Sequence, residues 1–201
     1  MGTADNIKAY KANQKRQHKT YERLVKRHGD SHKSLHWHSR TTQQERFKVL
    51  TRIGDLHSAR ILDIGCGIGD FAMFLKSQQI TVEYTGYDIV SDALEIARTK
   101  CPKATFENRN ILLKPPGAPF DYSFSSGLFA FGDQPLFEGI LTQAVDATKI
   151  AFGFNIYQTP IPTFFSPDQD EILAFCRTLP VSDIQVVDDY LTDDLTFFLY
   201  K

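Results

Sequence analysis

The chain has little cysteine, methionine or tryptophan: three, two and one among 201 residues. Cys66, Cys101 and Cys176 are odd in number and far apart. That spacing fits neither a disulfide framework nor a zinc-ligand set, and it points to a reducing, cytoplasmic setting. No run of about eighteen apolar residues exists, so no membrane-spanning helix is expected. The first thirty residues are polar and basic without an apolar stretch, so no secretory signal is expected either. His32, His36 and His38 come without a Cys or acid at ligand spacing, which argues against a metal. There is no internal repeat and no low-complexity tract.

What is present is an ordinary globular composition with an uneven charge. Apolar residues make up 42% and charged residues 23%, enough for one packed core. The formal net charge is -1, yet residues 1–60 hold 14 Lys and Arg against 5 Asp and Glu. The remainder holds 9 against 19. Such a basic segment either leans on an acidic body as a solvated helix or attracts an acidic partner, nucleic acid included.

Residues 4–28 carry only a thin apolar stripe, Ile7, Tyr10, Tyr21 and Leu24, which predicts a weakly docked helix stopped at Gly29 and Asp30. A second helix should start on Thr41 or Thr42, pack through Phe47, Leu50 and Ile53, and end at Gly54. From Arg60 the pattern changes. Ile61–Ile64, 81–88, 104–107, 120–126 and 149–157 read as strands, with helical spacings of apolar residues between them. Ser91 reads as the cap of one helix, and Ser166-Pro167-Asp168-Gln169 as the start of another. The runs 184–188 and 195–200 read as an antiparallel pair. Alternating strands and helices require a parallel sheet covered on both faces, an α/β architecture. The expected division is an N-terminal helical cap or leader over 1–58 and a ligand-binding domain over 59–201.

The most informative segment is Asp63-Ile64-Gly65-Cys66-Gly67-Ile68-Gly69-Asp70, between the first of these strands and the helix after it. Glycines there allow close backbone approach, and the helix start offers free N–H groups to an anion. A dinucleotide loop wants glycine at the sixth place, where Asp70 stands. Asp63 and Asp70 would also oppose a pyrophosphate, by about 1 kcal/mol or more per contact. A cationic zwitterion such as S-adenosylmethionine suits two flanking acids better.

This acid-x-Gly-x-Gly-x-Gly order resembles motif I of the class I S-adenosylmethionine-dependent methyltransferases. Further residues extend the resemblance. Asp88 ends the second strand, where the superfamily places an acid on the ribose hydroxyls, and Ile89 follows at the adenine-packing position. Asn110-Ile111 stands where an acid or amide meets the adenine amino group. FDYSFSSGLFAF, residues 120–131, is similar to motif IV, which opens onto the methyl group. The resemblance implies a three-layer Rossmann-like fold for 60–201, with a seven-stranded, mostly parallel sheet and an antiparallel C-terminal hairpin. It implies S-adenosylmethionine as cofactor and S-adenosylhomocysteine as product. Cofactor contacts are expected from Asp63, Gly65, Cys66, Gly67, Asp88, Ile89, Asn110, Ile111 and Ser126. Cys66 reads as a small filler of the tight turn rather than a nucleophile.

Trp37 followed by Gln43-x-x-Arg46-Phe47 resembles the leader of small bacterial-type methyltransferases, which folds over the pocket. Arg46 is thus a further expected cofactor contact. Trp37, His38, Phe129 and Tyr157 are substrate candidates, with Phe131 beside them. No residue reads as a general base. The fourth strand is not followed by an Asn- or Asp-Pro-Pro-aromatic run or a Pro-Cys pair, which disfavours methylation of adenine amino groups and cytosine carbon. The expected acceptor is a small molecule carrying O, N or S, less readily C. The alternatives are an RNA methyltransferase using the basic N-terminal region, a non-catalytic cofactor-binding protein, and a nicotinamide-dependent oxidoreductase. No membrane partner is expected, and oligomeric state is not legible.

Overall fold

The computed structural model describes the backbone of residues 3–158 and 164–201, and the side chains of the first helix from Lys15 onward, Arg16 excepted. Ile7 and Tyr10, half of the thin apolar stripe, therefore lie outside the described side chains. The helices are α1 (Thr3–His28), α2 (Arg40–Leu50), α3 (Asp70–Ser77), α4 (Ser91–Lys100), α5 (Gln134–Asp146) and α6 (Gln169–Cys176). The strands are β1 (Arg60–Ile64), β2 (Glu83–Asp88), β3 (Thr105–Asn108), β4 (Phe120–Ser125), β5 (Thr148–Tyr157), β6 (Asp183–Val187) and β7 (Asp194–Tyr200). A 3-10 turn, His32–Leu35, links α1 to α2.

The strands form one sheet in the order β3-β2-β1-β4-β5-β7-β6. β1 pairs in parallel with β2 and β4, and β3 and β5 extend the parallel set on either side. β7 inserts antiparallel between β5 and β6, with Ala151 opposite Tyr200 and Asp183 opposite the same residue. The pleat sends alternate residues of β1 to opposite layers. Leu62 and Ile64 join Phe137, Ile140 and Ile172 on the side of α5 and α6. Ile61 joins Phe71, Leu75 and Leu94 on the side of α3 and α4.

Three helix starts differ from the sequence reading. α2 is capped by Ser39, whose hydroxyl oxygen accepts from the Thr42 N–H at 3.1 Å, so Thr41 and Thr42 lie inside the helix. Val90 stands at the cap position of α4, and Ser91 is the first helical residue; no side chain caps this helix. α6 starts on Asp168 with a capping box to Glu171, while the Ser166 hydroxyl donates to the Tyr157 carbonyl. At α2 and α6 the side-chain oxygen of a residue with extended backbone out-competes the Ser or Thr expected as the cap.

The leader meets the rest of the chain in two places. Phe47, Leu50 and Ile53 of α2 and the turn after it share the layer of Ile61, Phe124 and Phe198. α1 packs on α4 and α5 across the C-terminal ends of the parallel strands. Its docking is firmer than its composition suggests: Val25 and Gln17 are buried, and Tyr21 packs beside Leu35 and Ile89. The sheet order reverses between β1 and β4, so the loops leaving them diverge and open a crevice. α1 and the 3-10 turn lie over that crevice.

Candidate functional site

The loop from β1 to α3 turns on Gly65, Gly67 and Gly69, all with positive φ. The Gly65 and Cys66 N–H groups donate to the Tyr87 carbonyl at 2.8 and 3.1 Å. The Gly67 N–H donates to the Asp88 carboxylate at 2.8 Å, and the Val90 N–H donates to its other oxygen at 2.8 Å. Asp88 thus ties the glycine loop to the end of β2 while lining the crevice. Burial pushes its carboxyl up, and these backbone donors pull it back.

Gly65, Gly67, Asp88, Ile89, Asn110 and Ile111 come together on the crevice wall, joined by Ser126 from the end of β4. Ile89 and Ile111, with Leu136 and Ile140 of α5, make an apolar slot in the wall. The Asn110 side-chain oxygen accepts from the Leu112 N–H at 2.9 Å, which fixes the loop after β3. Ser126 shares a 2.7 Å hydrogen bond with the Asn155 side-chain oxygen, and the Asn155 amide nitrogen donates to Thr196 at 2.6 Å.

Three of the expected cofactor contacts lie elsewhere. Asp63 is buried beneath the loop and accepts from the Tyr84 hydroxyl. Desolvation pushes its carboxyl up to about 7. The Cys66 side chain packs against Gly86 and Phe106, and burial drives its thiol well above the ordinary range, so it is no nucleophile. Arg46 pairs with the buried Asp194 on a different cavity. Asp70, the other acid flanking the loop, pairs with Lys100 and accepts from the Gln43 amide at 2.9 Å. Two flanking acids therefore do not face the ligand position; Asp88 is the carboxylate on the crevice wall. A strand's alternation turns Asp63 away, and the end of α4 supplies a lysine to Asp70.

Three wall positions were not legible from motifs. Gln17 is 5% exposed, lines the crevice, and leaves its amide nitrogen without a hydrogen-bond partner among the described residues. Tyr21 sits beside it, its phenol pushed upward by burial first and by the Asp88 charge second. Leu35 rests on Gly67: a Cβ there would stand 2.5 Å from a Leu35 methyl. Leu128 covers Gly65 in the same way, at 2.8 Å. The free space left is about 100 Å³, below the range of about 300–1,000 Å³ usual for small-molecule sites. The Leu35 and Leu128 atoms over the two glycines are ends of flexible side chains. A buried amide N–H donor, an apolar slot and a strand-end carboxylate match the acceptor nitrogens, the flat base and the diol of an adenosine.

A second cavity of about 640 Å³ adjoins the first. Tyr21, Leu35, Trp37 and Gly127 line both. His38 and Tyr157 line the second cavity with Arg46, Phe131 and Phe164. Rings dominate it: His36 meets Phe131 edge-on at 5.2 Å and Phe131 meets Phe164 at 5.3 Å. Phe129, a substrate candidate by sequence, is instead a core residue, packed edge-on against Phe137 at 4.9 Å and against Phe154 at 5.8 Å.

The strand order, the glycine loop after β1 and the acid closing β2 define a class I S-adenosylmethionine-dependent methyltransferase fold. Residues 61–150 match a family profile described as a methyltransferase domain. It is 33% identical over 81 residues to the trans-aconitate 2-methyltransferase of Afipia carboxidovorans. That match spans 40% of this chain and 32% of the relative, about a third of its length. Among solved structures, the fold is similar to magnesium protoporphyrin IX methyltransferase from Synechocystis PCC 6803 with bound S-adenosylhomocysteine. The TM-score is 0.66 at 12% identity, over 91% of this chain and 93% of that one. A second likeness is an S-adenosylmethionine-dependent methyltransferase from Archaeoglobus fulgidus. Its TM-score is 0.64 at 16% identity, over 81% and 95% of the two chains.

Proposed function

We propose that this chain transfers a methyl group from S-adenosylmethionine to a small molecule held in the second cavity. The observation that carries the reading is the shared wall. A crevice with the donors and apolar slot of an adenosine site opens, past Trp37 and Gly127, onto a separate chamber lined by rings. Two such cavities in contact are what a displacement between two bound molecules requires.

In this reading Asp88 accepts from the ribose hydroxyls and keeps the Gly67 N–H in place. Ile89 and Ile111 hold the base between apolar faces, with Asn110 at its edge and Gln17 supplying the amide that now has no partner. The Gly65–Gly67 backbone lies under the amino-acid end. When bound, the cofactor supplies a methyl already activated on a sulfonium, so the protein's own work is alignment and exclusion of water. Residues 1–58 act as a cap over the domain of residues 59–201. Tyr21, Leu35 and Trp37 close the wall between the cofactor and the chamber.

The same relatives support the activity by name: the Afipia carboxidovorans protein is a methyltransferase, and the Synechocystis protein is solved with S-adenosylmethionine as well as with its product. The test is calorimetric titration with S-adenosylmethionine, S-adenosylhomocysteine and NADH, followed by incubation with labelled cofactor and a small-molecule extract. Binding of the sulfur nucleosides with transfer of label supports the reading. Binding without transfer leaves a cofactor-sensing protein, and NADH binding alone overturns both.

A further inference from the structure

The second chamber has a composition that names its ligand. Lys33, His28, His36, His38 and Arg46 line it, and no carboxylate does among the described residues. The Lys33 ammonium has no described ion pair. Arg46 is the most constrained of the five. Its Nε donates to Asp194, itself held by the Tyr190 hydroxyl at 2.7 Å. Its guanidinium lies over the Trp37 ring, 4.8 Å from the centroid. No described residue accepts from its two terminal amino groups. A guanidinium with one edge fixed, the other free and its carbon over an indole ring is a carboxylate receptor.

The place of this receptor matters. Trp37 belongs to the wall between chamber and crevice, so a carboxylate on Arg46 stands at the junction, with its ring among Phe131, Phe164 and His36. The wall residues Tyr21, Leu35, Trp37 and Gly127 include no group able to take a proton at neutral pH, since the Tyr21 phenol is held protonated by burial. An acceptor that must lose a proton on methylation would have to pass it to an imidazole of the chamber, His28, His36 or His38. A carboxylate has no proton to lose.

Building on the methyltransferase reading, we propose that the acceptor is a planar aromatic or conjugated carboxylic acid, anchored by Arg46 and methylated on its carboxylate oxygen. One carboxylate oxygen supplies the electron pair of the new O–CH3 bond. The pair of the breaking methyl–sulfur bond returns to sulfur, which becomes a neutral thioether, and no proton moves. The neutral ester loses its charge pairing to Arg46, which favours release.

Trp37, the only tryptophan in the chain, reports on the chamber without any turnover. The experiment titrates its fluorescence in the full-length protein, alone and saturated with S-adenosylhomocysteine, using trans-cinnamate against trans-cinnamamide. The expected result is a quench or shift with the acid at a concentration at least tenfold below that needed with the amide. The Arg46→Gln/Asp194→Asn double variant removes the cation and its buried counter-charge together. It should abolish the acid's advantage while S-adenosylhomocysteine affinity changes less than threefold. Methyl label transferred to cinnamate should be released by mild alkali. Equal binding of acid and amide, an unchanged preference in the double variant, or an alkali-stable label would overturn the proposal. If S-adenosylhomocysteine binds and no acid does, this inference alone fails. If S-adenosylhomocysteine does not bind, the activity reading fails and the ester goes with it.

Discussion

The Trp37 ring lies against the backbone of Gly127, close enough that a Cβ on Gly127 would stand 2.9 Å from the indole Cζ2. This contact joins the leader to the loop after β4, and both residues face both cavities. Gly127 has φ +71, a region that costs a non-glycine residue about 1–2 kcal/mol. Gly127→Ala therefore acts twice, by strain and by pushing the indole away. The expected outcome is a red shift of the single tryptophan's emission and a rise of at least tenfold in KM for the acceptor. S-adenosylhomocysteine affinity, measured by calorimetry, should fall much less.

Asp88 has the opposite profile. Its two oxygens hold the Gly67 and Val90 N–H groups, and it faces the proposed ribose position. Asp88→Asn keeps the size but replaces one acceptor by a donor, set against a backbone N–H. Hydrogen bonds to a charged acceptor contribute about 1.5–3 kcal/mol. S-adenosylhomocysteine affinity should drop roughly ten- to a hundredfold. Loss of less than threefold would remove Asp88 from the cofactor's contacts.

Leu35 occupies the space above Gly67. A cofactor entering the crevice must displace it, so its side chain slows entry. Leu35→Ala should raise the association rate for S-adenosylhomocysteine several-fold in stopped-flow measurements. An unchanged rate would mean that the leucine leaves the crevice at no cost to binding.

Asp63 gives a pH signature of stability. Burial lifts its folded-state carboxyl to about 7, from an ordinary value near 4 in the unfolded chain. The folded state thus holds the proton more tightly than the unfolded state. The advantage of the protonated acid is complete below about pH 4, declines as pH rises, and is gone above about 7. Asp63→Asn keeps an oxygen for the Tyr84 hydroxyl and carries no charge. Urea unfolding at pH 5 and pH 8 should show the wild type losing stability relative to this variant as pH rises. Parallel curves would contradict the buried position of Asp63.

The α/β alternation and the ligand loop were legible because both are local patterns. Ile61–Ile64 closed by glycines reads as strand and turn, and Asp88 stands where the next strand ends. What was not legible depends on partners distant in sequence. Asp63 and Asp70 read as ligand-facing acids because nothing nearby reveals the Tyr84 hydroxyl or Lys100 that satisfy them. Phe129 read as a substrate candidate, but α5 and β5 provide rings that bury it. The sparse apolar stripe of α1 suggested weak docking. It concealed Gln17 and Tyr21, which line a crevice built mostly by residues from Ile64 onward.

Gln17 brings stability and binding into opposition. Its amide nitrogen is buried against the crevice without an acceptor among the described residues, a condition that costs about 1–3 kcal/mol in a folded protein. Gln17→Leu has similar reach and no polar atom, so it should raise the Tm of the free protein by a few degrees. It should also remove a donor to the cofactor, weakening S-adenosylhomocysteine several-fold. The saturating ligand would then raise the Tm of the wild type more than that of the variant. Thermal scans with and without ligand separate the two effects. A variant that is more stable and binds equally well would make Gln17 a plain defect of the helix–domain contact. A variant that is less stable would show that the amide has a partner in solution, most simply an ordered water held against Asp88.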